Sequence, residues 1–209
     1  MRVLLHTCCG PCATSVVAAL REEGREVVGY YYNPNIHPAA EHERRGQSLA
    51  AVGEAMDVPL IWSAPQDDLA AYLQVARPFG PPSRPSGLET VAFREGSRCQ
   101  VCFNLRLREA ARRAAAEKFP AFTTSLLISP YQDQKMLRRA AEAAASEFGV
   151  EFVYRDYRPL YPDSRSRARA LGLYLQKYCG CIFSETERLQ AIARRRRGGA
   201  PLSRQRTPP

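Results

Sequence analysis

Val3-Leu4-Leu5-His6-Thr7-Cys8-Cys9-Gly10-Pro11-Cys12 opens the chain with a short apolar strand that runs straight into a loop holding three cysteines. Ser15 to Leu20 then opens a helix that Gly24 stops. Val27-Val28-Gly29-Tyr30-Tyr31-Tyr32 has the β-branched and aromatic content of a second strand, and Asn33-Pro34-Asn35 ends it with turn residues. A helix over 41–56 and a strand over 58–62 complete a βαβαβ pattern. Short apolar strands alternating with helices specify an α/β fold, a parallel sheet with helices on both faces.

The alternation continues beyond a proline-rich loop at 77–85. The pattern predicts a helix over 103–119, a strand over 121–127 stopped by Ser129-Pro130, and a helix over 133–147 ended by Gly149. A strand at 150–154 follows, then a helix over 164–177 that runs into Tyr178-Cys179-Gly180-Cys181. There is no internal repeat and no interdomain linker, so 1–184 reads as one catalytic α/β domain. Residues 185–209 read as a basic, disordered tail. Arg194, Arg195, Arg196, Arg197, Arg204 and Arg206 carry most of the net charge of +9, and no acid lies among them. Such a tail either keeps the protein soluble or leans on RNA phosphates.

Apolar residues make up 45% of the chain and charged residues 24%, as in ordinary globular proteins. No apolar run approaches the roughly 20 residues of a membrane span, and the N-terminal run is too short for a secretory signal. The expected compartment is the cytoplasm, where thiols stay reduced. Seven cysteines there point to metal or redox chemistry before structural disulfides.

None of the seven is isolated: they form the groups Cys8, Cys9 and Cys12; Cys99 and Cys102; and Cys179 and Cys181. Cys99-Gln100-Val101-Cys102 is a spacing that lets two thiolates grip one metal or one cluster edge. Ligands of open parallel sheets sit beyond the carboxyl ends of the strands. The loop after the first strand and the turn Asn33-Pro34-Asn35-Ile36-His37-Pro38 should therefore share the site's rim. Four thiolates from Cys8, Cys9, Cys99 and Cys102 suit zinc or an iron–sulfur cluster. Structural zinc knuckles are commonly about 10 to 20 residues apart. Here the two pairs are roughly ninety apart, and one is vicinal, with diverging side chains that a cubane accepts more easily. This favours a cluster. Cys12 reads as a small buried hydrophobe at a helix start. Cys179-Gly180-Cys181 is suited to a strained, readily reduced disulfide ring that cycles two electrons; the alternative is a further pair of metal ligands.

Five stretches in order resemble the cobalamin-independent epoxyqueuosine reductases. They are 4–12, 32–38, Arg98-Cys99-Gln100-Val101-Cys102-Phe103, Thr123-Thr124-Ser125-Leu126-Leu127-Ile128-Ser129-Pro130-Tyr131 and Gln176-Lys177-Tyr178-Cys179-Gly180-Cys181. The resemblance runs from about residue 3 to 184. It implies reduction of the epoxide of epoxyqueuosine in tRNA, giving queuosine. It implies a 4Fe–4S cluster on Cys8, Cys9, Cys99 and Cys102, and a redox-active pair at Cys179 and Cys181. It also implies a sheet like that of the PP-loop ATP pyrophosphatases (the HUP-like sheet), with a metal-binding loop after the first strand. In those pyrophosphatases a glycine-rich phosphate cradle occupies this place.

Removing the epoxide oxygen as water takes two electrons and two protons. Four cysteines would saturate the cubane, so binding the oxygen to iron requires an additional iron or a ligand exchange. The electrons must come from an unidentified donor. Tyr32, His37, Tyr131 and Asp133 follow strand ends and are candidate proton donors, each with a turn or capping role as the alternative. Arg44, Arg45, Arg106, Arg108, Arg112 and Arg113 could form a basic stripe for RNA or lie on solvated helix faces. Two other functions compete. An ATP-dependent tRNA thiolase of PP-loop type would require a phosphate loop that the Cys8–Cys12 stretch lacks. A zinc-stabilised RNA-binding module without catalysis would carry zinc alone.

Overall fold

The computed structural model describes residues 1–63, 65–76 and 95–196. Five parallel strands form one sheet in the order β3-β2-β1-β4-β5: β1 (Arg2–Thr7), β2 (Glu26–Tyr31), β3 (Leu60–Trp62), β4 (Ala121–Thr124) and β5 (Glu151–Phe152). The helices are α1 (Gly10–Glu22), α2 (Ala39–Ala55), α3 (Pro65–Ala76), α4 (Glu95–Ala116), α5 (Gln134–Phe148), α6 (Tyr161–Ala170) and α7 (Ile182–Arg196). Val3, Leu4 and Leu5 are fully buried, as expected for a central strand covered on both sides. The helices pack in two groups, α1 with α2 and α6, and α4 with α3 and α5. Right-handed crossovers that leave β1 in opposite directions put those groups on opposite faces.

The α/β class and the parallel sheet agree with the sequence pattern, and several boundaries differ. Helix α1 begins at Gly10, five residues before Ser15, because Pro11 sits in its first turn, where a missing N–H costs nothing. Strand β4 stops at Thr124. There the Thr124 hydroxyl accepts from the Leu126 amide and caps a 3₁₀ turn over Ser125–Ile128. Helix α4 starts at Glu95, so Cys99 and Cys102 lie on a helix and not in a loop. Helix α6 ends at Ala170, not at 177. Gly172 takes φ +64, and Leu173 N–H closes back on the Ala168 carbonyl at 2.8 Å, a left-handed helix stop. The stretch expected as a tail from residue 185 is helical as far as Arg196. The loop at 77–85 and the last thirteen residues lie outside the described residues.

The strand order reverses between β1 and β4. From β1 the chain goes to β2 and β3 on one side, then crosses to β4 and β5 on the other. A crevice opens at such a switch point beyond the strand ends. Residues 8–9 after β1 and Ser125 after β4 are its two lips.

Candidate active site

The strand ends are locked together before any thiol is positioned. Buried His6 bridges Thr124 Oγ1 at 2.8 Å and the Tyr32 carbonyl at 3.0 Å. The carbonyl can only accept, so Nε2 carries the proton and Nδ1 takes one from the Thr124 hydroxyl. Burial, helped by the nearby Arg106 charge, lowers the ring's pKa to about 3 and keeps it neutral. Asn33 Nδ2 donates to the Thr7 carbonyl at 2.8 Å, and Arg106 Nη2 donates to Asn33 Oδ1 at 2.6 Å. One imidazole and one amide thus fix the ends of β1, β4 and the turn after β2.

On this platform sit Cys8, Cys9 and Cys12, whose sulfurs all lie within 4.8 Å of one another, all buried. Cys8 Sγ is 3.7 Å from Cys9 Sγ, and the Cys8 amide donates to Ser125 Oγ at 3.3 Å. Cys9 is the N-cap of α1, and Cys12 is one turn on. Gly10 between them permits close contact with α2: a Cβ there would stand 2.2 Å from the Ser48 carbonyl oxygen. Hydrogen bonds from the Cys12 and Cys9 thiols hold Cys8 well below the usual thiol range, and the Arg106 and Arg45 guanidinium groups reinforce this. Burial pushes Cys9 up to about 12. Cys12 is pushed up because it donates to Cys8 and Cys9. The triad thus carries its first negative charge on Cys8, at a helix N-terminus that favours it.

The remaining four cysteines form a second group. Cys99 and Cys102 are three residues apart on α4, hence on one helix face. Cys102 packs with Cys181, Tyr72, Ala76 and Phe183, and Cys99 packs against the core cluster that holds Cys8, Cys9 and Cys12. The Cys179 and Cys181 thiols hydrogen-bond each other. Cys181 precedes α7, and its sulfur receives the Ser184 amide at 3.4 Å, so the side chain caps that helix. The bond from Cys179 and the contacts of Ser184 lower Cys181 to about 5. Cys179 is exposed to solvent, whereas Cys181 is buried.

Two buried arginines tie the groups together. Arg45, on α2, donates from Nε to Glu41 at 2.8 Å and from its two terminal nitrogens to the carbonyls of Tyr178 and Cys179, each at 2.9 Å. Arg106, on α4, hydrogen-bonds Cys102 and contributes to the field at Cys8 and Cys179. Among the described residues its Nε has no hydrogen-bond partner. The structure therefore gathers the predicted cysteines into two groups around the switch point. Within the distance of a single ion it brings together Cys8, Cys9 and Cys12, and not Cys99 or Cys102.

A profile of the epoxyqueuosine reductase QueH family matches residues 3–187. The chain belongs to that family. It is 37% identical to the epoxyqueuosine reductase QueH of Dehalococcoides mccartyi over 90% of this chain and 94% of that protein. It is 32% identical to the Histophilus somni protein of the same name, over 88% and 72%, and 27% identical to that of Thermotoga maritima, over 94% and 97%. Membership of the QueH family makes the chain an oxidoreductase, which accords with a site built almost wholly of thiols.

Residues 185–187, at the start of α7, fall inside the QueH match. Cys12, read as a buried hydrophobe, and Arg45, read only as one of several basic residues for RNA, both stand against the other cysteines in the structure. For Cys12 the signal was present: Cys9 and Cys12 are three apart across a helix start and share a face. For Arg45 there was none, since its partners are carbonyls more than 130 residues away.

Proposed function

We propose that this chain reduces the epoxide of epoxyqueuosine in tRNA to the alkene of queuosine. An iron–sulfur cluster would be held by Cys8, Cys9, Cys99 and Cys102, with Cys179 and Cys181 as a redox pair. The observation that carries the reading is that all seven cysteines lie in two adjoining groups at one sheet edge, in a chain of the QueH family. The protein would be cytoplasmic, with residues 1–184 as the catalytic unit.

The residues suit such a group. The donors are all sulfur, which selects iron–sulfur clusters, zinc or copper over hard cations. Six of the seven are at least partly buried, so solvent access is limited. Arg45 and Arg106 supply buried positive charge beside them, which offsets the thiolate charge that ligation requires. The unpartnered Nε of Arg106 is available to an acceptor such as a cluster sulfide. Cys12 is a further thiol within reach of Cys8 and Cys9, and an additional iron would find ligands there. The sheet would be of the PP-loop type, with the thiol loop in place of the phosphate cradle.

When bound, the cluster would relay electrons one at a time. The chain's own contribution is both electrons and both protons. Oxidising the Cys179 and Cys181 thiols to a disulfide releases two electrons and two protons. That balances loss of the epoxide oxygen as water. A donor outside the chain then reduces the disulfide. The Arg45 clamp on the carbonyls of residues 178 and 179 holds that pair in register with the triad.

The test is anaerobic reconstitution with iron and sulfide, incubation with tRNA carrying the epoxide, and mass analysis of the nucleosides. Loss of one oxygen is expected. Colourless protein that binds only zinc and leaves the nucleoside intact would overturn the reading.

A further inference from the structure

The site meets solvent at Cys179, the most exposed of the cysteines. Beside it stands Tyr131, with 70% of its surface in water, the largest value for a big apolar side chain among the described residues. Its position is fixed from two sides. On one side its ring meets Tyr161 edge-on, with centroids 6.2 Å apart and planes at 88°. Tyr161 packs against the core cluster of the cysteine triad and feels the charge of Cys12. On the other side the next residue, Gln132, points its Nε2 at Cys179 Sγ, 3.9 Å away.

Tyr131 thus stands at the rim between the two thiol groups. Gln176 marks the same rim, with its Nε2 3.4 Å from Cys12 Sγ. An aromatic ring left so exposed forfeits the stabilisation of burial. Edge-on support orients the ring while leaving most of it uncovered. Such rings are what proteins use to stack unpaired bases of RNA. Positive charge suited to phosphate lies close by, with Arg165 acting on Tyr161 and Lys177 exposed next to Gln176.

We infer that Tyr131 is the platform on which the purine-like base of an RNA loop stacks, as the group attached to that base enters between the thiols. The inference rests on the reductase reading for its substrate class. It assigns the phenyl ring, not the hydroxyl, as the working part, so Tyr131 is a binding residue and not a proton donor.

Binding of an RNA stem-loop with an unpaired guanine tests it, beside the same stem-loop with an abasic site in place of that guanine. Tyr131→Ala should weaken binding of the guanine hairpin about 5- to 150-fold, the range measured for one base on one aromatic ring. Tyr131→Phe should bind like the parent protein. On the abasic hairpin the parent and Tyr131→Ala should bind equally. The inference is overturned by equal binding of the guanine hairpin, by a loss that persists on the abasic hairpin, by a loss in Tyr131→Phe, or by a parent protein that binds neither RNA. A parent that binds as expected but does not reduce the epoxide would sink the reductase reading and leave Tyr131 as a base platform.

Discussion

The guanidinium of Arg45 donates to the carbonyl of Cys179 at 2.9 Å, joining residues 134 positions apart. Both Arg45 and its partner Glu41 are 1% exposed. Removing the cation leaves the buried Glu41 carboxylate with no donor to Oε1, Tyr174 Oη still donating to Oε2, and two part-buried carbonyls without their donor. Arg45→Met should cost about 3–5 kcal/mol, the scale for breaking a buried ion pair. Urea unfolding measures that loss. Alkylation of Cys179 should become faster in the same variant, because the 178–181 segment is released.

The four predicted ligands can be separated from the redox pair by metal content. Alanine at Cys8, Cys9, Cys99 or Cys102 should lower iron per chain and bleach the cluster's visible absorption after reconstitution. Cys179→Ser should keep both yet complete no turnover, because the disulfide that releases the two electrons cannot form. Iron loss in Cys179→Ser would make that residue a ligand. Unchanged iron in Cys99→Ala combined with loss in Cys12→Ala would move the cluster onto the triad.

His6 makes two buried hydrogen bonds that no apolar residue can replace. In His6→Leu, the Tyr32 carbonyl and the Thr124 hydroxyl lose their partner. An unsatisfied buried polar group costs about 1–3 kcal/mol, so the midpoint in urea should fall by a corresponding amount. Iron content measured on the folded fraction reports whether the triad's platform has shifted.

Two glycines offer a paired comparison. At Gly10 a methyl group would collide with the Ser48 backbone oxygen at 2.2 Å, and at Gly53 with the Leu60 side chain at 2.8 Å. Backbone cannot turn aside, whereas a leucine tip can. Gly10→Ala should therefore lose at least the 1–3 kcal/mol typical of overpacking, and Gly53→Ala less. Equal losses in thermal unfolding would show that the approach of α1 to α2 is softer than the contact implies.

The sheet was legible because Val3-Leu4-Leu5 and Val27-Val28 are apolar runs set between helix-compatible stretches. Local pattern suffices for that. The rim was legible too, since Cys8, Cys9 and the 33–38 turn directly follow strands. Grouping of the thiols was only partly readable. Cys102 meets Cys181 through folding of segments about eighty residues apart, and sequence spacing carries no information on that distance. Element ends failed where a side chain or a glycine overrode the periodicity, as with the Thr124 cap after β4 and the left-handed Gly172 after α6. Cys181 was read as a redox partner, but its service as a helix cap depended on α7, which the arginine-rich composition concealed.

Strand β1 pairs with β4 through Val3 and Ala121, Leu4 and Phe122, Leu5 and Thr123, and His6 and Thr124. A chain emerging from the ribosome therefore displays its vicinal thiols while the lip that completes their pocket is still unmade. Metal captured at that stage would meet a half-built, water-exposed bowl. Loading of the proposed cluster would consequently belong to the finished protein, and truncations before residue 124 should bind iron loosely, however many cysteines they retain.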